Sequence, residues 1–120
     1  MFAIEKEFHF CAAHRIPELG ERHKCAQVHG HSYRVVLRIE GDALKGPGFL
    51  VEFCELDAFE ALLKTHFDHK FLNDLPEFQT IAPTTENLAQ ILFGEAKRMF
   101  AQTVELRVQE TQKTWVIFRG

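Results

Sequence analysis

Polar and apolar residues alternate in two stretches near the start of the chain, as they do in half-buried β-strands. In residues 2–10 the apolar residues Phe2, Ile4, Phe8 and Phe10 occupy even positions and alternate with Glu5, Glu7 and His9, which predicts a first strand. The alternation resumes over residues 31–40 and predicts a second strand. Residues 17–26, between the two, are mainly polar and include Gly20, which indicates a loop.

Helical periodicity follows a break rich in glycine at residues 41–48. Apolar residues recur at helical spacing over about residues 55–66, which predicts a first amphipathic helix. Its apolar positions are Leu56, Phe59, Leu63 and Phe67. A second helix is predicted after Pro83, because Thr84 can cap free amide groups and Glu86 suits the positive end of a helix dipole.

Two closing strands are predicted at residues 104–111 and 113–119, and their short connection indicates a hairpin. The element order ββααββ predicts an α+β fold, in which two helices cover one face of an antiparallel four-stranded sheet. The length is that of one domain, residues 1–120, and no linker or repeat interrupts it. Such a sheet leaves two open edges, so oligomerisation is expected from the fold alone.

Composition narrows the class of protein. A net charge of -3 gives no broad attraction to nucleic acid or to an anionic membrane, so we expect neither as a partner. No apolar run approaches the ~20 residues of a membrane-spanning helix. Residues 5–7 are charged where a secretory signal would be apolar, and three cysteines are an odd number, which favours a reducing cytoplasm. Cys11 and Cys54 follow phenylalanines and are expected to be packing residues.

Histidine is the most informative residue type in the chain. His29 and His31 are two residues apart, so their side chains share one face of a strand, and Gly30 lets the backbone bend toward a shared ion. His14, just past the end of the first predicted strand, can supply a third ligand if the two strands pair. Three neutral imidazoles would leave a zinc ion with an open position, as in catalytic sites. The alternative is that these histidines bind no metal.

Two further groups of side chains could take part in catalysis. Cys25 lies four residues before His29, and a nearby cation would favour its thiolate, which could act as a base or a nucleophile. It could also be a fourth zinc ligand or an inert residue. Asp68 precedes His69 and could orient that imidazole for proton transfer, although both could simply be polar residues at a helix end.

Glu110 places a carboxylate where a core side chain is expected, because Val104, Leu106 and Val108 precede it at alternate positions. Burying that charge is costly unless a partner satisfies it. A ligand with adjacent N–H donors, such as the amidine-like edge of a guanine or pterin ring, would satisfy both oxygens. Otherwise Glu110 lies in water at the open end of its strand.

Five motifs occur in a fixed order along nearly the whole chain. They are Phe10-Cys11-Ala12-Ala13-His14-Arg15, Cys25-x-x-x-His29-Gly30-His31, Asp68-His69-x-x-Leu72-Asn73, Pro83-Thr84-Thr85-Glu86-Asn87 and Glu110-Thr111. Together they resemble the 6-pyruvoyltetrahydropterin synthase family, and the ordered set is far more specific than any one motif. The resemblance implies the tunnelling fold (T-fold), in which ββααββ subunits join their sheets into a barrel in a trimer. Two trimers usually stack as a hexamer, with active sites between subunits.

The resemblance also implies roles for individual residues. It implies three ligands for Zn²⁺: His14, His29 and His31. It implies a catalytic group, with Cys25 as the proton acceptor and Asp68 and His69 working with it. It implies a substrate-binding group, in which Glu110 anchors the pterin ring and Thr84, Thr85 and Glu86 line the same pocket.

The three residues between Cys25 and His29 resemble the bacterial branch of the family, because animal-type synthases have more residues there. That branch implies conversion of 7,8-dihydroneopterin triphosphate to 6-carboxy-5,6,7,8-tetrahydropterin, with loss of acetaldehyde and triphosphate, on the route to queuosine and other 7-deazapurines. The alternatives are the 6-pyruvoyl reaction, in which triphosphate leaves without chain cleavage, and a non-catalytic pterin-binding module that holds zinc structurally.

Some positions depart from the family pattern or stay unassigned. Glu52, Ala82 and Phe118 stand where aspartate, asparagine and tyrosine are common. None of the three belongs to the predicted zinc or proton-transfer residues, so they bear on substrate preference. The candidates for triphosphate binding are Arg15, Arg22, Lys24 and Lys70.

Overall fold

A five-stranded sheet is the frame of the fold in the computed structural model, which describes residues 1–120. Its strands are β1 Phe2–His14, β2 His29–Gly41, β3 Lys70–Phe71, β4 Thr103–Thr111 and β5 Thr114–Phe118. Their spatial order is β3-β1-β2-β4-β5, and every pair is antiparallel except β3 with β1, which is parallel. The prediction of a four-stranded, wholly antiparallel sheet was therefore wrong. A strand of two residues is too short to show an alternating pattern.

Strands β1 and β2 pair along their whole length, from Phe2 opposite Gly41 to His14 opposite His29. β1 thus continues past the predicted end at residue 10, and His14 is its last residue rather than a residue beyond it. The two alanines that follow Cys11 hid this continuation, because small apolar residues at neighbouring positions do not show alternation. Ala12 nevertheless lies on the buried face, in phase with His14.

The predicted first helix consists of three kinds of helical turn. They are a 3₁₀ turn at Phe53–Leu56, α1 at Asp57–Leu62 and a π-turn at Leu63–Phe67. In the π-turn the amide of Asp68 donates to the Leu63 carbonyl at 2.8 Å, and the wider turn keeps both Leu63 and Phe67 buried. The second helix, α2, spans Thr85–Met99, and as predicted Thr84 caps it by accepting a hydrogen bond from the Asn87 amide.

Short 3₁₀ turns occupy the remaining connections. They are Pro17–Leu19 and Lys24–Ala26 in the predicted loop, then Leu72–Asp74 and Pro76–Phe78 between β3 and α2. β4 and β5 form the predicted hairpin, with two residues between the strands. No helix of the chain combines the length and the apolar character needed to cross a lipid bilayer.

One hydrophobic cluster lies between the two helices and a single face of the sheet, as the amphipathic pattern predicts. It includes Phe8, Phe10, Val35, Leu37, Leu106 and Val108 from the strands, and Phe59, Leu63, Leu88 and Leu92 from the helical segments. Each fully buried apolar side chain of this size contributes roughly 1.5–3 kcal/mol. The opposite face of the sheet carries cross-strand ion pairs such as Arg34 with Glu7 and Arg38 with Glu5.

Cys11 and Cys54 are exposed rather than buried, so their prediction as packing residues was wrong. Consecutive residues of a strand point to opposite faces, so a cysteine next to the buried Phe10 has to lie on the outer face. Phe53, the neighbour of Cys54, is itself 65% exposed and offers no buried surroundings.

Candidate metal centre and active-site pocket

Core-facing positions change from apolar to ionisable at one end of three adjacent strands. The buried face of β1 ends in His14, and the buried face of β2 begins with His29 and His31. The corresponding face of β4 passes through Leu106 and Val108 and reaches Glu110 near its end. The strand register therefore brings together residues that are far apart in sequence.

The three predicted histidines meet at this end of the sheet. Their ligand nitrogens all lie within 4.8 Å of one another, close enough to hold one metal ion. The ring centroid of His14 is 4.6 Å from that of His29 and 5.0 Å from that of His31. His14 is only 2% exposed, so the group lies at the floor of the site rather than on the surface.

Hydrogen bonds from the outer ring nitrogens orient two of the imidazoles. Nδ1 of His14 lies 2.8 Å from the Pro83 carbonyl, and Nδ1 of His29 lies 2.7 Å from the Gln27 carbonyl. A carbonyl only accepts, so both Nδ1 atoms donate, and the neutral tautomer that fits this contact carries an Nε2 lone pair that points inward. These Nε2 atoms are 3.0 Å apart, and Nε2 of His31 is buried with no hydrogen-bond partner. A cation among the three nitrogens relieves the lone-pair repulsion, so the donor set fits a divalent metal.

The surroundings keep two of these imidazoles in the neutral form that binds metals. Burial lowers the pKa of His14, and it lowers the pKa of His31 as well. The Glu110 carboxylate acts in the opposite direction on both rings without cancelling the effect of burial. Neutral imidazole is the ligating form, so the electrostatics agree with the geometry.

Glu110 is half-buried beside the histidines rather than free in water. Its Oε2 accepts a hydrogen bond from the hydroxyl of Thr85, a residue that is only 8% exposed. Its Oε1 lies 3.5 Å from Nε2 of His31, and its Oε2 lies 4.0 Å from Nε2 of His14. The carboxylate thus lies between the metal-ligand candidates and the first turn of α2, with room on its solvent side for a ligand.

A pocket of about 350 Å³ opens over these groups, and we call it the histidine pocket. Its predicted lining residues are His14, Cys25, His29, Thr84, Thr85, Glu86 and Glu110. Sequence reasoning missed its other walls: Ile16, Leu19, Val108, Thr114, Trp115 and Val116. Trp115 is the single tryptophan of the chain, and its ring packs against Arg34 and Arg107, 5.4 and 5.7 Å from their guanidinium groups, on the face of the sheet opposite the core.

Cys25 lies in the Lys24–Ala26 turn and is half-buried at the wall of the histidine pocket. Its amide donates to Nδ1 of His23 at 3.0 Å, so His23 caps the turn. Sequence reasoning missed this contact, because a histidine two residues before the capped amide has no distinctive signature. The cap and the short turn fix the backbone that presents the thiol.

Asp68 and His69 do not line the histidine pocket. The side chain of His69 is 82% exposed, and its Nε2 is 3.9 Å from the nearer Asp68 oxygen, beyond hydrogen-bonding distance. Asp68 Oδ1 instead accepts from the Cys11 amide at 2.8 Å, and this bond is the main cause that lowers the pKa of Asp68. In this chain Asp68 therefore secures the edge of β1 more than it orients His69.

A second pocket of about 490 Å³, which we call the His69 pocket, contains that imidazole. Its polar lining comes from Cys11, His31, Ser32, His69 and Lys70. His69 has a φ of 59°, a left-handed conformation that is uncommon outside glycine and that turns its side chain outward. Such backbone outliers cluster at functional sites, which makes the outward position of His69 informative.

The four candidates for triphosphate binding are all exposed, and none of them lines the histidine pocket. Lys70 lines the His69 pocket. Arg15 uses its Nε to donate to the Ala26 carbonyl at 3.0 Å, so part of its guanidinium serves the Cys25 turn.

The fold and the site together define an α+β enzyme domain with a three-histidine centre at the floor of a small-molecule pocket. Residues 3–120 match the family described as 6-pyruvoyl tetrahydropterin synthase, and the chain belongs to that family. It is 32% identical to the 6-carboxy-5,6,7,8-tetrahydropterin synthase of Bacillus subtilis, over 98% of this chain and 85% of that protein. It is 37% identical to the Synechocystis protein of the same name, over 79% of this chain and 74% of that protein.

Solved structures agree with this assignment. The Caenorhabditis elegans 6-pyruvoyl tetrahydropterin synthase superposes with a TM-score of 0.89 at 25% identity, covering 99% of this chain and 95% of that chain. The resemblance stated from the five motifs is therefore confirmed. The expectation of an enzyme is confirmed too, because these relatives are synthases of the lyase class.

Proposed function

We propose that the protein is a zinc-dependent lyase that converts 7,8-dihydroneopterin triphosphate to 6-carboxy-5,6,7,8-tetrahydropterin and releases acetaldehyde and triphosphate. The observation that carries this proposal is the meeting of three imidazoles beside Glu110, next to the pocket that Cys25 also lines. Family membership and the names of the bacterial relatives support the substrate class.

His14, His29 and His31 are the residues that would hold the zinc ion. When bound, zinc would supply Lewis-acid stabilisation for oxygens of the substrate side chain. Three protein ligands of one type leave a coordination position open, which distinguishes catalytic from structural zinc sites. The two carbonyl contacts, from Pro83 and Gln27, fix the ring orientations before any ligand arrives.

Glu110 is suited to anchor the pterin. Its two carboxylate oxygens can accept from the adjacent N–H groups of the amidine-like edge, and such charge-assisted pairs are roughly twice as strong as neutral ones. The Thr85 hydroxyl donates to the carboxylate and holds its orientation. Leu19 and Val116 lie at the same pocket and offer apolar surface to the flat ring.

Cys25 is placed to take a proton from the substrate side chain, since it lines the same pocket as the metal-ligand candidates His14 and His29. His69 is the second proton-transfer residue, but within one chain it lies at a different pocket. We propose that a neighbouring subunit supplies His69 to the histidine pocket. Open sheet edges support assembly, because β3 covers only Ala12 and Ala13 of the outer edge of β1 and β5 has a free edge.

We expect a trimer, or a dimer of trimers, in which the subunits join at these sheet edges. The short spacer of three residues between Cys25 and His29 supports the 6-carboxy product over the 6-pyruvoyl product. The second candidate remains the 6-pyruvoyl reaction, which the structural likeness to the Caenorhabditis elegans protein favours.

Product analysis tests the proposal directly. Purified protein reconstituted with zinc and given 7,8-dihydroneopterin triphosphate should form 6-carboxy-5,6,7,8-tetrahydropterin and acetaldehyde, as seen by mass spectrometry and by a coupled aldehyde assay. A pyruvoyl product without acetaldehyde would establish the second candidate instead. Binding of the pterin without turnover would show a non-catalytic module.

A further inference from the structure

The side chain of Asn73 forms two hydrogen bonds with the main chain of Arg15. It lies in the Leu72–Asp74 turn, three residues after β3 begins. Its Oδ1 accepts from the Arg15 amide at 2.9 Å, and its Nδ2 donates to the Arg15 carbonyl at 2.9 Å. One carboxamide thus satisfies both main-chain groups of a single residue, as a neighbouring strand does in a sheet.

Strand pairing ends just before Arg15, which explains why a side chain is needed there. The β1–β2 ladder stops at His14 opposite His29, and the β1–β3 ladder covers only Ala12 and Ala13. Arg15 is therefore the first residue of this segment without a strand partner. The Asn73 side chain continues the main-chain hydrogen bonding of this segment by one residue, directly after the buried His14.

The residues that follow β1 also form hydrogen bonds with the Lys24–Ala26 turn, which carries Cys25. Arg15 Nε donates to the Ala26 carbonyl at 3.0 Å, and the Ile16 amide donates to the Cys25 carbonyl at 2.8 Å. Two consecutive carbonyls of the turn are thus fixed from the residues that follow β1. Hydrogen bonds thus connect Asn73, four residues after His69, through the Arg15–Ile16 segment to the turn that carries Cys25.

We infer that Asn73 is a positioning residue, which sets the backbone beside His14 and, through Arg15, the turn that presents Cys25. The inference rests on the proposed function only for the roles of those two residues. The path predicts two separable effects: Asn73 acts on the metal site and on the thiol, whereas the Arg15 side chain acts on the thiol alone.

The experiment measures the thiol and the metal independently of turnover. In a Cys11→Ser/Cys54→Ser background Cys25 is the sole thiol, because the chain has three cysteines. Asn73→Ala and Arg15→Met should each speed alkylation of Cys25 by iodoacetamide about threefold or more, because a loosened turn opens locally. Asn73→Ala should also weaken zinc binding by about tenfold, as loss of outer-shell support does elsewhere. Arg15→Met should leave zinc affinity unchanged.

Gln79→Ala is the matched control. Gln79 Nε2 donates to the Asn73 and Leu75 carbonyls at 3.0 and 2.8 Å, so this variant also removes two side-chain hydrogen bonds from the same region without touching Arg15. It should leave both alkylation and zinc affinity at parent values. If Asn73→Ala behaved like Gln79→Ala in both assays, or if Arg15→Met left alkylation unchanged, the inference would be overturned.

Two further outcomes keep the inference separate from the proposed function. Parent protein that bound no zinc would contradict the proposed function, while the alkylation rates would still decide whether the path through Arg15 exists. If Asn73→Ala did not fold, Asn73→Asp would replace it, because its carboxylate can still accept from the Arg15 amide but can no longer donate to the Arg15 carbonyl; it should change alkylation and zinc affinity in the same directions.

Discussion

The histidine pocket and the His69 pocket contain residues that the sequence motifs join into one site, yet the single chain keeps them apart. The histidine pocket holds buried and half-buried groups, with His14 at 2% exposure and Glu110 bonded to Thr85. The His69 pocket is open, and its imidazole is 82% exposed. One half of the proposed site is already assembled within the fold, and the His69 side chain of the other half is exposed.

The difference teaches how the two halves are stabilised. The metal-ligand candidates are positioned by the longest strand pair and by contacts with main-chain carbonyls, all within one chain. His69 lies two residues after a π-turn and adopts a left-handed backbone conformation, and its imidazole makes no hydrogen bond to Asp68. A side chain held in this way is suited to meet a surface of another copy, where its partner groups would be found.

The largest expected effect comes from removing one of the three metal-ligand histidines, which a single chain brings together. His29→Ala should lose most bound zinc and should lower activity by about 10³-fold or more, because in the proposed function the ion would supply the central electrostatic stabilisation. The assembly should survive, since the sheet and not the metal forms the core. Metal analysis after gel filtration checks both statements. His9→Ala, which removes an exposed histidine bonded to Glu7, is the control and should retain zinc.

Mixing two variants tests whether the two pockets complete each other across subunits. Cys25→Ala and His69→Ala should each lower turnover by about 10²–10⁴-fold, the usual range for loss of a proton-transfer group. Assemblies refolded from a mixture should regain part of the parent activity, because some sites then combine an intact Cys25 with an intact His69. Each variant refolded alone is the control. Mixed assemblies with no recovered activity would place both residues of a site in the same chain.

A smaller effect is expected from the pterin anchor. Glu110→Gln replaces one accepting oxygen by a donor, and loss of a hydrogen bond to a charged group costs about 1.5–3 kcal/mol, or roughly 10- to 150-fold in affinity. Titration of pterin fluorescence measures this change. Glu105→Gln, on a carboxylate that pairs with Arg119 and Arg107, should leave pterin affinity unchanged. Equal losses in both variants would contradict the assigned role of Glu110.

The smallest predicted effect concerns Asp68 and acid stability. Its pKa is lowered in the folded protein, chiefly by the bond from the Cys11 amide, so its stabilisation is present above the unfolded pKa of about 3.9 and is lost as pH falls through the folded value. Asp68→Asn should therefore lower Tm near neutral pH, and the difference from the parent should shrink in acid. Thermal unfolding from pH 3 to pH 7 measures this. A difference that grew in acid would contradict the assigned contact.

Local sequence patterns identified the elements correctly where several residues contribute to one signal. Alternation revealed β2 and the closing hairpin, and helical spacing with a threonine cap revealed α2. The same alternation placed Glu110 on the core face and allowed His29 and His31 to share a side of a strand. Patterns failed where an element is very short or changes its hydrogen bonding within a few residues, as in β3 and in the π-turn.

The sequence by itself determined the kinds of residue present and their order, and these sufficed for the α+β class and the family and pointed to three histidines that the structure brings together. Only the tertiary structure decided that Asp68 bonds to the β1 backbone, that Asn73 holds Arg15, and that Cys25 and His69 lie at different pockets. The physical reason is the separation along the chain between the residues that make each contact. Periodicity reports the neighbours of a residue along the chain, whereas these contacts depend on strand register and on unpaired main-chain groups brought together from distant segments.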